Sequence, residues 1–499
     1  MRLLYVTSEV YPLVKTGGLA DVSAALPAAL KEFGVDTRVL LPGYPQAIER
    51  AANLREVIRF GDFLGCGDAR LLESIMPDTC VPVWIVDCPR LYNRCGGLYQ
   101  TDEGADWPDN ALRYAVLNHA AVALAAGAVE NWRPHVVHAN DWHAGLLPLM
   151  LSRKRSAPPT VFTNHNLAYQ GVFDMEAFEG TGLPDTAIRD VEFYGRISYL
   201  KAGIRGADAV TTVSPTYARE ILTSEYGCGL EGVLRERDHI TGILNGADYG
   251  IWDPKTDPHI EVNYFVRSMS AKAVCKAAIQ RELGLATNAE APLMAFMSRL
   301  VHQKMPDLVL EALPALLENG LQFALVAEGD RGYLCAFQGL AARYPGQVAI
   351  CPRYEEAIAH RILAGADILA HPARFEPCGL VPIYAQRYGT VPIVRRCGGM
   401  ADSVIDATQE HLQKGTATGF SFDDPTSAGL FEGACRALDL YRQPIAWRKI
   451  QVSAMAQDYS WRRSAALYAE LYGSLLGSSA AQECDAEIAA RPELAKLSA

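Results

Sequence analysis

Apolar residues follow two alternating patterns along this chain. Short runs such as residues 3–6 are apolar at every position, as in a strand buried on both faces. Between such runs apolar positions recur every three or four residues, as at Leu19, Val22, Leu26 and Leu30, the mark of a helix with one buried face. Gly34 follows that helix as a C-terminal stop. Further strands are predicted at residues 38–41, 83–86, 136–138, 160–163 and 209–213. Strand, turn and helix in alternation predict a parallel sheet with crossover helices.

The alternation lapses around residues 249–258, where Gly250, Pro254 and Pro258 fall with little periodicity. It restarts with strands at residues 293–298, 323–327, 348–351, 367–370 and 391–394, and a helix at 307–318 that stops at Asn319-Gly320. The predicted fold is α/β: two tandem Rossmann-like, doubly wound domains with an interdomain cleft as the default site. The expected divisions are an N-terminal domain of residues 1–248 and a C-terminal domain of 249–455. A helix of 456–476 packs back on the first domain, and a tail of 477–499 follows.

Composition narrows the ligand. A length of 499 residues is too much for one core, and a net charge of −11 with no basic run argues against nucleic acid. No apolar stretch is long enough to span a membrane. The 12 cysteines form no C-x-x-C pair and no metal-type cluster, so reduced thiols in a cytoplasmic protein are expected.

Five motifs follow predicted strands. Lys15-Thr16-Gly17-Gly18-Leu19-Ala20-Asp21 opens a helix with two glycines, which let backbone N–H groups approach an anion. Gly398-Gly399-Met400-Ala401-Asp402 echoes it in the second half. In Ser298-Arg299-Leu300-Val301-His302-Gln303-Lys304 two cations five apart can converge on a diphosphate. Arg374-Phe375-Glu376-Pro377-Cys378-Gly379-Leu380 places a carboxylate beside a proline, suited to sugar hydroxyls. His138-Ala139-Asn140-Asp141-Trp142-His143 and Thr163-Asn164-His165-Asn166 set aromatics beside polar tips, as carbohydrate binding needs. Each has a plain alternative: a βα turn, a solvated basic loop, a surface glutamate, structural histidines. The histidine spacings are not zinc-like.

Taken in order, these motifs resemble the bacterial glycogen synthase and plant starch synthase family, retaining glycosyltransferases of the GT-B type. The resemblance runs from Tyr5-Val6-Thr7-Ser8-Glu9 to about Tyr472, and includes Asn245-Gly246 and Trp252-Asp253-Pro254. It implies ADP-glucose and an α-1,4-glucan as substrates, with no cofactor and no metal. It implies that Arg299 and Lys304 hold the diphosphate, that Glu376 lies by the glucose, and that Asp141 and His165 belong to the reaction centre. Donor contacts are implied for Lys15, Gly17, Gly18, Asp21, Asn245, Tyr354, Cys378, Gly379, Leu380, Gly398 and Gly399. Acceptor contacts are implied for Glu9, Trp142 and Asn166.

The chain departs from the family pattern at Cys397 and Met400, usually Thr and Leu, at Ala373, usually Ser, at Met305-Pro306, usually a Gly-containing pair, and at Glu328, usually neutral. These positions are expected beside the donor phosphates, where they bear on donor affinity. Related sucrose or trehalose-phosphate transferases, and an inactive glucan-binding protein, are the competing readings. The motifs pair no two carboxylates at one strand end, which favours front-face attack over a covalent intermediate. Lys304→Ala is expected to lose turnover with its fold intact.

Overall fold

The computed structural model describes residues 1–353 and 355–489, with side chains to residue 477. The last ten residues of the expected tail lie outside the described residues. The chain forms two compact units. The first comprises Met1–Val213, Ala218–Gly246 and the chain from Trp461 onward; the second comprises Ser214–Tyr217 and Ala247–Ser460.

In chain order the strands of the first unit are β1 (Arg2–Val6), β2 (Asp36–Pro42), β3 (Ala52–Asp62), β4 (Asp68–Ile75), β5 (Pro82–Asp87) and β6 (Val136–Asn140). They continue as β7 (Thr160–Asn164), β8 (Val172–Asp174), β9 (Glu192–Phe193), β10 (Arg196–Ser198), β11 (Ala209–Thr212) and β12 (Ile240–Gly242). Among the described residues nine of them make one sheet in the order β12-β11-β7-β6-β1-β2-β5-β4-β3, and β8, β10 and β9 make a small separate one. From β12 to β5 every pairing is parallel. The chain winds one way from β1 through β2 to β5 and the other way from β6 to β12, so the sheet switches direction between β1 and β6.

Leu3, Leu4, Tyr5 and Val6 are fully buried, and the helix Gly18–Leu30 buries Leu19, Val22, Leu26 and Leu30 as its spacing requires. Gly34 takes the left-handed conformation that ends this segment, at φ 70°. The antiparallel edge hairpin β3–β4 was not predicted. β4 buries Ala69, Leu71 and Leu72, whereas β3 is mostly exposed and carries cross-strand charge pairs, Arg55 on Glu73 and Arg59 on Asp68, in place of an apolar run that periodicity could detect.

The strands of the second unit are β13 (Leu293–Met297), β14 (Gln322–Val326), β15 (Val348–Cys351), β16 (Ile368–His371), β17 (Val391–Arg395) and β18 (Phe420–Phe422). Among the described residues they form one six-stranded sheet, β15-β14-β13-β16-β17-β18, parallel throughout. This is the doubly wound order with its switch point between β13 and β16. The helix Pro306–Glu318 covers it with Leu308, Val309, Leu313, Leu316 and Leu317.

Apart from the short excursion of Ser214–Tyr217, the crossings between units fall at Gly246–Ala247 and Ser460–Trp461, so the second unit reaches a little beyond the expected 249–455 at both ends. In the first unit a side chain on Gly246 would meet the Trp461 backbone at 2.5 Å, which leaves room only for glycine. In the second, the Ala247 N–H donates to the Tyr459 carbonyl at 2.6 Å. The helix that begins at Trp461 belongs to the first unit, where Tyr472 bonds His138 at 2.8 Å and Ser464 donates to the Leu244 carbonyl at 2.5 Å. It spans Trp461–Ala489, with non-helical backbone at Gly477.

Candidate active site

The loops after β13 and β16 open at the switch point of the second unit. The first carries Arg299 and Lys304, the second Glu376. Glu376 is buried, and its Oε2 accepts from the Lys304 ammonium and lies 3.3 Å from His371 Nε2 at the end of β16. Burial alone pushes this carboxyl up. The Lys304 charge and the His371 hydrogen bond outweigh burial and hold it at about 2, so Glu376 stays ionised. Arg299 stands exposed earlier on the same loop.

The two loops are stitched together. Gln303 donates to the Phe375 carbonyl at 3.0 Å, Arg374 N–H donates to the Gln303 carbonyl at 2.8 Å, and Arg374 pairs with Asp307 at 2.7 Å. Lys304 is followed by Met305 in the left-handed conformation, φ 52°, fully buried in the core.

Gly398 and Gly399 were expected as an open anion-binding turn. The structure fills that turn with main chain. A side chain at Gly398 would sit 1.9 Å from the Glu376 carbonyl oxygen, one at Gly399 would sit 2.1 Å from that of Cys378, and the Gly399 N–H donates to the Glu376 carbonyl at 3.0 Å. These glycines let the turn after β17 approach the Glu376 loop. The echo of the first-half motif ends there too: Asp402 accepts from the Thr216 N–H and hydroxyl, whereas Asp21 pairs with Lys15. Cys378 is buried, and Gly379, at φ 80°, leads into the helix Leu380–Arg387. Tyr354 lies outside the described residues.

Three departures from the family pattern prove to be one change. Ala373, Cys397 and Met400 pack together with Val394 and Val404 in a single buried cluster, and the Cys397 thiol lies 3.6 Å from the Ala373 carbonyl. Their exposure is 0–1%: they form an apolar interior beside the Glu376 loop, with Met400 packed next to Gly379. Glu328 does lie exposed, and its carbonyl accepts from the Leu300 N–H, next to Arg299.

In the first unit the switch point brings together the loops after β1 and β6. Glu9 is buried and its Oε2 accepts from the N–H groups of both Thr16 and Gly17, the latter at 3.1 Å, while the Tyr99 hydroxyl donates to Oε1 at 3.2 Å. Burial pushes the Glu9 carboxyl up to about 7. Asp141, with φ 54°, accepts from the His165 N–H at 2.8 Å. Burial, reinforced by the Glu9 charge, pushes it up to about 7 as well. The two carboxyls stand at the ends of different strands, but β1 and β6 are neighbours in the sheet although far apart in sequence, and the Glu9 charge reaches Asp141.

Burial pushes His165 down to about 3, and its Nε2 meets Asn140 Oδ1 at 3.0 Å, so the ring is neutral at pH 7. The Asn166 side chain accepts from the Ala168 N–H. Asn245 is buried with its Oδ1 unpartnered among the described residues. Lys15 pairs with Asp21 at 2.7 Å, both about a third exposed, a surface pair weak enough to release Lys15 to a stronger anion. Gly17 and Gly18 open the helix, and a side chain on Gly17 would meet nothing within 4 Å.

Trp142 was expected to offer an open face to a sugar ring. Its exposure is 9%; the ring is wedged against His143, Tyr114, Tyr99 and Phe173, and Gly171 exists to clear it. It packs the wall of the site. Sequence motifs missed Tyr99 and His371. Tyr99 lies in no motif, and His371 hides as the last residue of a strand. Among the described residues, no group of three His, Cys, Asp or Glu is arranged for a metal, and no helix is long and apolar enough to cross a membrane.

Two doubly wound units in one chain, with a glycine turn at one switch point and a Lys–Glu pair at the other, define a glycosyltransferase of the GT-B class. Residues 2–236 match the family model for the starch synthase catalytic domain, and residues 283–447 match that for glycosyl transferases group 1. The chain is 49% identical to a glycogen synthase of Burkholderia thailandensis, over 99% of this chain and 95% of that one. It is also 49% identical to a glycogen synthase of Paramagnetospirillum magneticum, over 96% and 98%. The solved catalytic domain of Starch Synthase IV from Arabidopsis thaliana, bound to ADP and acarbose, superposes with a TM-score of 0.85 at 29% identity, covering 95% of this chain and 99% of that one. A sucrose-phosphate synthase from Thermosynechococcus elongatus shares the fold, with a TM-score of 0.61 at 17% identity and coverage of 95% and 99%. The chain belongs to the glycogen synthase family.

Two predictions follow from this geometry. The folded protein keeps a proton on Asp141 up to about pH 7, whereas an unfolded chain releases it near 3.8. Between those values the folded state binds more protons, so this group's contribution to stability falls as pH rises. Asp141→Asn should therefore raise the thermal midpoint relative to the parent more at pH 8 than at pH 5. Equal shifts at both would show that Asp141 is ionised throughout. Separately, Cys397→Thr should shift the thermal midpoint by a few degrees at most and leave the donor KM within about twofold, as expected of a near-isosteric exchange at a fully buried position. A tenfold KM change would return Cys397 to the phosphate site.

Proposed function

We propose that this enzyme transfers glucose from ADP-glucose to the non-reducing end of an α-1,4-glucan, with retention of configuration. The observation that carries the reading is identity of 49% to a glycogen synthase along 99% of the chain. On this reading Arg299 and Lys304 hold the diphosphate and stabilise charge on the leaving nucleotide, a task for fixed cations rather than a metal. Lys15 and the Gly17-Gly18 turn add donor contacts, with Asn245, Gly379 and Leu380. Glu376 is ionised and locked by Lys304, so it serves as a fixed negative partner for the sugar and its cation, not as a proton donor. Asp141 holds the His165 main chain by the 2.8 Å bond to its N–H, next to the developing sugar cation. The acceptor hydroxyl then attacks from the face the nucleotide leaves, and the departing phosphate oxygen takes its proton. The reading makes the enzyme cytoplasmic, in keeping with its scattered thiols.

The direct test is to incubate the protein with glycogen and either ADP-glucose or UDP-glucose, in chelator, and measure released nucleotide and linkage. ADP release with α-1,4 extension, faster from ADP-glucose, is expected. Equal turnover of UDP-glucose overturns the donor assignment, and a β-linked product overturns the reaction.

The ion pair changes what Lys304→Ala should do. Removing one preorganised donor costs about 10²–10³ in kcat. It also strands the buried Glu376 charge, a loss of about 3–5 kcal/mol. Lys304→Ala should therefore lose both turnover and thermal stability. Adding Glu376→Gln should restore the thermal midpoint while kcat stays low. A single variant with parental stability would show that the pair is not formed in solution.

A further inference from the structure

The turn that opens the first helix already holds an acceptor of its own. Glu9 lies three residues beyond β1, and its Oε2 takes both the Thr16 and the Gly17 N–H groups. Those are the donors that a glycine turn before a helix would offer to a phosphate. A second phosphate-like ligand cannot use them while Glu9 is there. What stays open is Gly18, which is exposed, and the Lys15 ammonium, which is held by the surface pair with Asp21 and lies over the Tyr11 ring.

The carboxylate is itself fixed from behind. Tyr99 donates to its Oε1 at 3.2 Å and meets Ser8 Oγ at 2.8 Å, and the Tyr99 ring stacks on His143 with centroids 4.7 Å apart. The segment before Tyr99 is anchored by Arg113, which is 1% exposed and donates to the carbonyls of Leu91 at 3.1 Å and Leu98 at 2.9 Å and to Asn110 Oδ1 at 2.8 Å. All three acceptors are neutral. A buried arginine spent on main-chain carbonyls makes the loop rigid, and the rigid loop sets Tyr99 against Glu9.

We propose that Glu9 is a positioning residue for transfer: its carboxyl oxygen is a built-in acceptor that holds the Thr16-Gly17 turn in place and leaves Gly18 and Lys15 to meet the donor. This deepens the function proposed above and rests on it. It also replaces the direct acceptor contact implied for Glu9 by the family resemblance. The important chemistry is one oxygen accepting two N–H groups. A glutamine amide oxygen in the same place can do that, with its NH₂ turned to the Tyr99 hydroxyl. Alanine cannot, and aspartate is one carbon short.

The test compares Glu9→Gln, Glu9→Ala and Glu9→Asp in the full chain. Without any substrate, hydrogen exchange at residues 16–18 should be slow in the parent and in Glu9→Gln and at least tenfold faster in the other two. With substrates, Glu9→Ala and Glu9→Asp should lose tenfold or more in kcat/KM for ADP-glucose, with the KM for glycogen within about twofold. Glu9→Gln should recover most of that loss. If Glu9→Gln is as impaired as Glu9→Ala, or if the glycogen KM rises while exchange is unchanged, Glu9 touches the acceptor and the proposal fails. Parental exchange in Glu9→Ala overturns it as well. Absence of any transfer by the parent would instead overturn the function proposed above, and the exchange comparison would still decide whether Glu9 orders the turn.

Discussion

A carboxylate taken out of water must find a compensating charge or give up its own, and the second unit is arranged around the first solution. Glu376 sits at the end of a parallel sheet, where strand carbonyls offer it nothing. Lys304 reaches it from the loop after β13 and His371 from the end of β16. For that to happen the two loops must keep their register, so Gln303 and Arg374 bind across them, and the helix after Lys304 is tied back through Asp307. The Glu376 main chain is pinned in turn by Gly399. Side chains at 398 or 399 would force the Glu376 loop away and break the pair it serves.

The first unit has the same winding and takes the other solution. Glu9 and Asp141 are buried at its switch point with no ammonium or guanidinium on either among the described residues, only backbone N–H groups and a tyrosine hydroxyl. Burial then wins, and both titrate near 7 where Glu376 titrates near 2. Burial also keeps His165 and His138 neutral. One topology thus yields a strongly ionic switch point and a nearly neutral, hydrogen-bonding one. A diphosphate and a neutral sugar polymer make those two demands, so the division of labour proposed for the units agrees with electrostatics as well as with ancestry.

Much of this was legible in the chain because its strands are buried on both faces and its helices on one. Continuous apolar runs located β1, β13 and most parallel strands to within a residue or two, and the turn motifs placed Lys15, Arg299, Lys304 and Glu376 at their ends. What stayed hidden was whatever depends on contact across the fold. β3 carries charge pairs that only its partner strand completes. Tyr99 meets Glu9 across 90 residues of chain. The pairing of Glu9 with Asp141 follows from strand order, and a glycine that admits a neighbouring carbonyl, as at 398, looks in sequence like one that admits a phosphate. Trp142 next to Asp141 likewise suggested a sugar platform, and only its neighbours show that no face is open.

The substitutions that set this chain apart from its family pattern test whether the site has been kept. If chance alone had altered the donor loops, the altered residues would be scattered among exposed and buried positions. Ala373, Cys397 and Met400 are instead mutual neighbours in one apolar cluster behind the Glu376 loop. Ala373 and Cys397 are both buried and neither brings a hydroxyl into the cluster, so no buried hydroxyl is left to be satisfied there. Met305 makes a similar bargain. A non-glycine residue in the left-handed region loses about 1–2 kcal/mol. A fully buried methionine side chain gains about 1.5–3 kcal/mol. Burial outweighs the strain, and the backbone just after Lys304 keeps the conformation that a glycine would have adopted freely. Both changes alter what supports the Lys304–Glu376 pair and leave the pair itself in place.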